Sequence, residues 1–246
     1  MKIENKDFWE KGDVIATQRL KNASGFEMYM FEQAKKRYSV SGEIKNIKIF
    51  GCGSGREIEA LHNYFSPQKI VASDISENMI AQCNGNLKLW NIATTAQTIV
   101  VNAVDYNTVF NEFQLVTILN SMLTYVPEKV DRLAIFKNSN QLLQSNGVLI
   151  GTVHNQVGTL PKTVYFKLRN LFSFVFGEKV GNRMTGFNGF KVSGYYYDKK
   201  TLQNDLLISG FKDIEMKSLE DYYAALGEKY DRVKGYNNLI FIASKA

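Results

Sequence analysis

A strand that breaks into a glycine loop constrains this chain more than any other feature. Residues 47–55 read IKIFGCGSG, a short apolar β-type run followed by Gly51, Gly53 and Gly55. Glycines at the end of a parallel strand allow a tight turn and let backbone amides approach a ligand. The helix that follows adds its N-terminal amides and the positive end of its dipole. A dinucleotide fingerprint needs a further glycine at the sixth position, where this chain has Arg56, so the spacing is GxGxG and a dehydrogenase reading is disfavoured. Taken alone, the loop also fits a sharp turn with no ligand.

The second strand, KIVASD, strengthens the ligand reading because it ends in Asp74, about 20 residues beyond the loop, where a carboxylate can accept two hydrogen bonds from ribose hydroxyls. The competing role for Asp74 is to cap the next helix, since Asp-Ile-Ser-Glu resembles a capping sequence. Ser76 can fill that role instead.

From residue 44 onward, short apolar β-rich runs alternate with amphipathic stretches, the pattern of a parallel sheet covered by helices on both faces. Strands are expected at 47–51, 69–74, 98–102, 115–120, 147–153, 211–216 and 239–244. Helices are expected at 56–64, 77–83, 130–144 and 199–209. The 217–238 connection is mostly polar, with one apolar cluster at 222–226, which predicts an antiparallel pair at the C-terminus. The expected fold class is α/β: a three-layer, Rossmann-like, seven-stranded and mostly parallel sheet with an antiparallel C-terminal hairpin strand. The 246 residues, 45% hydrophobic with 3 prolines, suit one domain with a sizeable core. Two regions depart from the alternation. Residues 1–43 carry helix-like runs with Phe8, Trp9, Phe26, Tyr29 and Phe31, a helical cover for the cleft. Residues 155–197 are too long for an ordinary connection and form a substrate-binding insertion or lid.

With these segments in order, the chain resembles the class I S-adenosylmethionine-dependent methyltransferases over roughly residues 44–246. IKIFGCGSGREIEAL looks like their first motif and VASDISENMIAQC like their second strand with its acidic end. VVNAVDYN is similar to the segment that lines the adenine. FQLVTILNSMLTYVP resembles the fourth strand with its active-site loop, and LAIFKNSNQLLQSNGVLIGTVHN the helix and fifth strand that follow. The resemblance implies S-adenosylmethionine as cofactor. Gly51, Gly53 and Gly55, with Phe50 and Cys52 in the same run, resemble the loop that approaches its methionine portion. Asp74 resembles the ribose ligand, and Ile75 and Met79 would pack on the adenine. The family's acidic residue near the adenine amino group aligns with Asp105 or equally with Val104. Asn120, Ser121 and Met122 resemble the loop beside the methionine moiety and the transferred methyl.

Methyl transfer from a sulfonium is an in-line displacement, so such an enzyme chiefly positions a nucleophile and excludes water. An alcohol acceptor gains from a general base and a neutral amine needs less help. His154, just beyond the fifth strand, is the first base candidate and Tyr125 the second. Their alternative roles are a structural histidine and packing beneath the active-site loop. His154 is the better of the two histidines, because His62 lies inside the first helix facing solvent or the sheet. No Asp/Asn-Pro-Pro-Tyr segment follows the fourth strand. Cys52 and Cys83 sit in the cofactor loop and the next helix, which disfavours cytosine C5-methylation.

The expected acceptor is an oxygen or nitrogen of a small molecule or biosynthetic intermediate. The net charge of +6 tolerates nucleic acid, and tRNA or another nucleic acid is the alternative substrate, although the lysines are scattered. A third reading is a cofactor-binding regulatory domain without transfer activity. Two cysteines with no zinc spacing predict reduced thiols and no metal site. No apolar run reaches the roughly 18 residues of a bilayer span, so a soluble cytoplasmic protein is expected. The segment 162–176, KTVYFKLRNLFSFVF, reads as an amphipathic helix that is a lid, a peripheral membrane contact or a partner surface. Tyr195, Tyr196 and Tyr197 either line the acceptor pocket or belong to a buried strand.

Overall fold

The apolar strand residues separate by parity onto two faces of one sheet. Ile47, Ile49, Ile70, Ala72, Leu115, Val148, Ile150, Ile240 and Ile242 are buried on one face. Phe50, Val71, Val116, Ile118, Leu149, Phe241 and Ala243 are buried on the other. Side chains alternate across a strand, so this double burial requires helices on both sides. The computed structural model supplies them, and it describes residues 5–16, 23–39, 41–106, 110–186, 189–232 and 237–246. Parts of the expected N-terminal cover (1–4, 17–22, 40), the adenine-lining segment (107), the insertion (187–188) and the last connection (233–236) lie outside the described residues.

Strands β1 (Asn46–Phe50), β2 (Lys69–Asp74), β3 (Ala96–Val100), β4 (Phe113–Ile118) and β5 (Leu143–Val153) are parallel. After the β6–β7 hairpin (Asn182–Thr185, Val192–Tyr195) come β8 (Phe211–Ser218) and β9 (Leu239–Lys245), and β9 runs antiparallel to both β5 and β8. The seven-stranded order is β3-β2-β1-β4-β5-β9-β8. The chain reverses direction across the sheet between β1 and β4, and at such a switch point the carboxyl ends of the strands open a crevice.

Helices α1 (Asn5–Trp9) and α2 (Gly12–Ala16) precede α3 (Gly25–Tyr38), which buries Met30, Phe31 and Ala34 on the sheet face it shares with α4 (Arg56–Phe65) and α5 (Glu77–Leu89). Helices α6 (Lys129–Leu142) and α9 (Lys199–Ile208) cover the opposite face. The insertion folds as α7 (Leu160–Leu171), α8 (Ser173–Phe176) and the hairpin, and α10 (Leu219–Ala225) lies between the last two strands. Gly194 of β7 packs so closely that an added Cβ would lie 3.0 Å from the Thr124 carbonyl, which holds the hairpin against the loop after β4.

Several boundaries differ from the sequence expectation for identifiable reasons. Strand β4 starts at Phe113 rather than 115 because the polar Gln114 is buried and accepts the Lys45 and Asn46 N–H groups (3.0 and 2.6 Å). Strand β3 runs 96–100 rather than 98–102, since its register is set by pairing with β2 from Ile70↔Ala96 to Asp74↔Val100. Strand β5 begins at Leu143 rather than 147, with a register shift near Phe113 and Asn146 in the left-handed region at φ +62°. Helix α5 continues past Cys83 through Gly85 to Leu89, and Asn86 in that extension donates to the Ser54 carbonyl (2.9 Å).

Candidate active site

At the switch point the glycine loop takes a shape that side chains oppose. Gly51, Gly53 and Gly55 have φ of +69°, +52° and +91°, a region that L-residues disfavour. A Cβ on Gly51 would lie 2.5 Å from Met122 Cγ, whereas one on Gly53 meets nothing within 4 Å. The first glycine is thus needed for packing on the loop after β4, and the second opens onto free space.

Asp74 faces that space. Its Oδ2 accepts the Gly53 N–H (2.8 Å) and its Oδ1 accepts the Ser76 N–H (3.0 Å). Ser76 is the N-cap of α5, accepting the Met79 N–H (3.1 Å), so the capping role falls to it and Asp74 is left beside the loop. Burial pushes the Asp74 carboxyl above its ordinary range, and N–H donation from Ser76, Gly53 and Ile75 works against that rise.

A cavity of about 1210 Å³ runs from this corner. It is lined by Gly51, Cys52, Gly53, Asp74, Ile75 and Met79, by Val104, by Asn120, Met122 and Tyr125, and by insertion residues including Tyr165, Arg169 and Arg183. Ten of the residues expected at the site therefore share one cavity. Five do not line it. Phe50 points into the core, edge-on to Tyr106 with ring centroids 5.7 Å apart. Gly55 lies behind the loop as the N-cap of α4, where a Cβ would lie 2.8 Å from Cys83 Sγ. Ser121 is turned inward and donates its N–H to Thr152 Oγ1 (2.8 Å). Asp105 is exposed in a turn, while Val104 is directed inward and its carbonyl is anchored by Asn138 Nδ2 (2.8 Å).

His154 is the fifth. It is buried between Tyr125 and Tyr196, with ring centroids 6.3 and 5.1 Å away. Burial, aided by the charge of Lys162, lowers its pKa to about 3, which leaves the ring neutral. Tyr125 keeps its place on the cavity wall and packs edge-on against Trp9 (5.0 Å, 79°), a further lining residue. Trp9 is held from behind, because Ser76 Oγ donates to its carbonyl (3.2 Å) and Glu10 Oε1 accepts the Glu77 N–H (2.7 Å). Tyr195, Tyr196 and Tyr197 are buried and absent from the wall; Tyr197 donates to Asp205 Oδ2 (3.1 Å) and accepts from Arg132 Nε (3.0 Å).

A polar network below the loop was not foreseeable from motif spacing. Arg56 ion-pairs with Glu27 of α3 and donates to Asn120 Oδ1 (2.8 Å), and Asn120 Nδ2 donates to Glu57 Oε2 (2.9 Å). Asn120 and Ser121 both have positive φ, +52° and +55°, an uncommon conformation for two successive non-glycine residues. The network fixes the loop after β4 in that shape. Glu57 is fully buried, and desolvation raises its pKa to about 8. Among the described residues no group of three or more His, Cys, Asp or Glu could hold a metal ion, and no helix is long and apolar enough to cross a membrane.

Residues 47–147 match a family model described as a methyltransferase domain. No curated protein sequence matches the chain. Among solved structures, it is similar to an S-adenosylmethionine-dependent methyltransferase from Methanosarcina mazei, with 18% identity, TM-score 0.64, and coverage of 92% of this chain and 99% of that one. It is also similar to phosphoethanolamine N-methyltransferase 2 of Haemonchus contortus, solved with phosphomonomethylethanolamine and S-adenosylhomocysteine (15%, 0.64, 99% and 61%). A third is the N-methyltransferase NodS of Bradyrhizobium japonicum with S-adenosylhomocysteine (14%, 0.60, 98% and 96%). Residues 47–147 thus match a methyltransferase domain, and the seven-stranded sheet around them has the fold of the S-adenosylmethionine-dependent methyltransferases to which the chain is similar.

Proposed function

We propose that the protein transfers a methyl group from S-adenosylmethionine to a nitrogen or oxygen of a small molecule that enters under the insertion. The observation that carries this reading is the continuity of one cavity from the glycine corner to the insertion wall. At about 1210 Å³ it exceeds the roughly 300–1,000 Å³ of a usual small-molecule pocket, leaving room for cofactor and acceptor together. The residues present fit the cofactor. Asp74 lies beside open space above Gly53 with its carboxylate already oriented, ready for a ribose diol. Ile75, Met79 and Val104 supply apolar contact for an adenine, and Gly51 to Gly53 and Asn120 flank the methionine end.

When bound, S-adenosylmethionine supplies an electrophilic methyl on a sulfonium sulfur. The chain's own task is alignment and exclusion of water. Met122, Tyr125 and Trp9 form an apolar wall near the Asn120 loop, and the β6–β7 hairpin closes the other side. Tyr125 is the residue assigned to the acceptor. His154, neutral and behind Tyr125, positions that ring and does not take a proton itself. Such a site suits an acceptor amine that arrives neutral. The N-methyltransferase neighbours support nitrogen as the atom methylated.

Incubation with methyl-tritiated S-adenosylmethionine and a cell extract tests the reading. Label in a small-molecule fraction that resists nuclease and protease is the expected result. Label confined to nucleic acid or protein overturns it.

A further inference from the structure

The insertion brings a concentration of positive charge to the cavity wall. Residues 155–197 contain six basic side chains (Lys162, Lys167, Arg169, Lys179, Arg183, Lys191) and one acidic one, Glu178. Three of the six, Arg169, Lys179 and Arg183, line the cavity and Glu178 does not. The cavity's carboxylates come from other elements: Asp74 on β2, and Glu128 and Asp131 at the start of α6. Among the described residues, none of the three lining cations takes part in an ion pair.

Their arrangement is held by packing. Arg169 donates to the Val180 and Lys179 carbonyls (3.0 and 2.6 Å) and lies 4.0 Å from the Phe176 ring centroid. The Tyr165 ring has the Arg169 and the Arg183 guanidinium each 5.5 Å from its centroid. Arg183 also lies 6.0 Å from the Tyr196 ring, over which Lys162 sits at 5.2 Å. Burial first, and then the Arg183 charge, lowers the Lys162 pKa to about 8. Guanidiniums offer fixed forks of N–H donors that match tetrahedral oxyanions, and a lysine adds a point charge. A dianionic phosphate can engage two such cations at once, which a single carboxylate does less well.

We propose that Arg169 and Arg183, with Lys179 at the rim, hold a phosphate group of the methyl acceptor. The proposal rests on the methyltransferase reading for the word acceptor and stands on its own as a phosphate site. Two sources supply that chemistry, a soluble phosphate monoester or a phospholipid headgroup. The second is structurally served. Leu160, Val164, Leu168 and Leu171 recur at i, i+4, i+8 and i+11 on the outer face of α7 and are 77, 45, 53 and 70% exposed, and Phe174 beyond them is 83% exposed. An apolar helical face flanked by basic residues can rest on an anionic bilayer, with Tyr165 and Arg169 of the same helix lining the cavity.

The test titrates inorganic phosphate into the full chain by calorimetry, with and without S-adenosylhomocysteine, and measures cosedimentation with phosphatidylglycerol vesicles. Phosphate should bind, Arg183→Gln should weaken it about tenfold or more, and Arg183→Lys should restore part of the loss. Vesicle binding lost in both Arg183→Gln and Phe174→Glu identifies a lipid source; phosphate binding without vesicle binding identifies a soluble one; either supports the site. No phosphate binding, phosphate binding unchanged in Arg183→Gln, or acetate binding as tightly as phosphate overturns it. Phosphate binding in a protein that does not bind S-adenosylhomocysteine counts against the methyltransferase reading and leaves the phosphate site standing.

Discussion

The Gly53 N–H donates to Asp74 Oδ2 at 2.8 Å, so one hydrogen bond joins the loop after the first strand to the acidic end of the second. Burial pushes the Asp74 carboxyl upward, and backbone donors such as this one work against that rise. Asp74→Asn preserves an acceptor for Gly53 and removes the charge. It should weaken S-adenosylhomocysteine binding by about 1–3 kcal/mol, the worth of charge-assisted hydrogen bonds to ribose. Calorimetry on wild type and variant checks this, and equal affinities would remove Asp74 from the cofactor site.

Two glycines in the loop should respond differently to alanine. In Gly51→Ala the new methyl meets Met122 Cγ at 2.5 Å in a left-handed backbone, so a loss of about 1–3 kcal/mol in folding stability is expected. In Gly53→Ala the backbone strain costs about 1 kcal/mol but the methyl projects into open space, so the larger effect falls on cofactor affinity. Gly85→Ala, inside α5 with nothing within 4 Å, should stabilise by about 0.5–1 kcal/mol. Chemical denaturation and calorimetry on the three variants separate the outcomes.

Much of the fold was legible because strand parity and glycine placement are local signals. IKIFGCGSG and KIVASD announced two parallel strands and the turn between layers, and the polar 217–238 segment foretold the antiparallel C-terminal pair. Less legible were features that depend on partners far away in sequence. Gln114 is polar yet lies in a strand because two backbone N–H groups 68 and 69 residues away bond to it. Glu27 and Glu57 carry no motif, and only the folded chain brings Glu27 to Arg56 and Glu57 to Asn120. Val104 rather than Asp105 lines the cavity because Asn138 anchors the turn, a contact no spacing reveals.

The buried Glu57 makes stability pH-dependent. Its folded pKa is raised to about 8 from 4.5, so the unfolded chain releases this proton first as pH rises. The sign follows from linkage: stability from this group is full below about pH 4.5 and falls until pH 8, where the loss is complete. Glu57→Gln, which keeps an acceptor for Asn120 Nδ2, should remove that loss and gain about 1–4 kcal/mol at pH 8 relative to wild type. Thermal melts of both proteins between pH 5 and pH 8.5 check it. Parallel curves would contradict a buried protonated Glu57.

His154 should stay neutral across the physiological range, its pKa near 3 being set first by burial and then by Lys162. Imidazole NMR, with His62→Gln used for assignment, should show no protonation of His154 between pH 5 and 8. A titration near 6.5 would return His154 to the role of general base.

Everything proposed for the site depends on the cavity at the glycine corner taking S-adenosylmethionine. Calorimetric titration of the folded wild-type protein with S-adenosylhomocysteine tests it most directly. Saturable one-site binding is expected, with affinity reduced about fivefold or more in Asp74→Asn. No binding to a correctly folded wild-type protein, or binding that Asp74→Asn leaves unchanged, would contradict it.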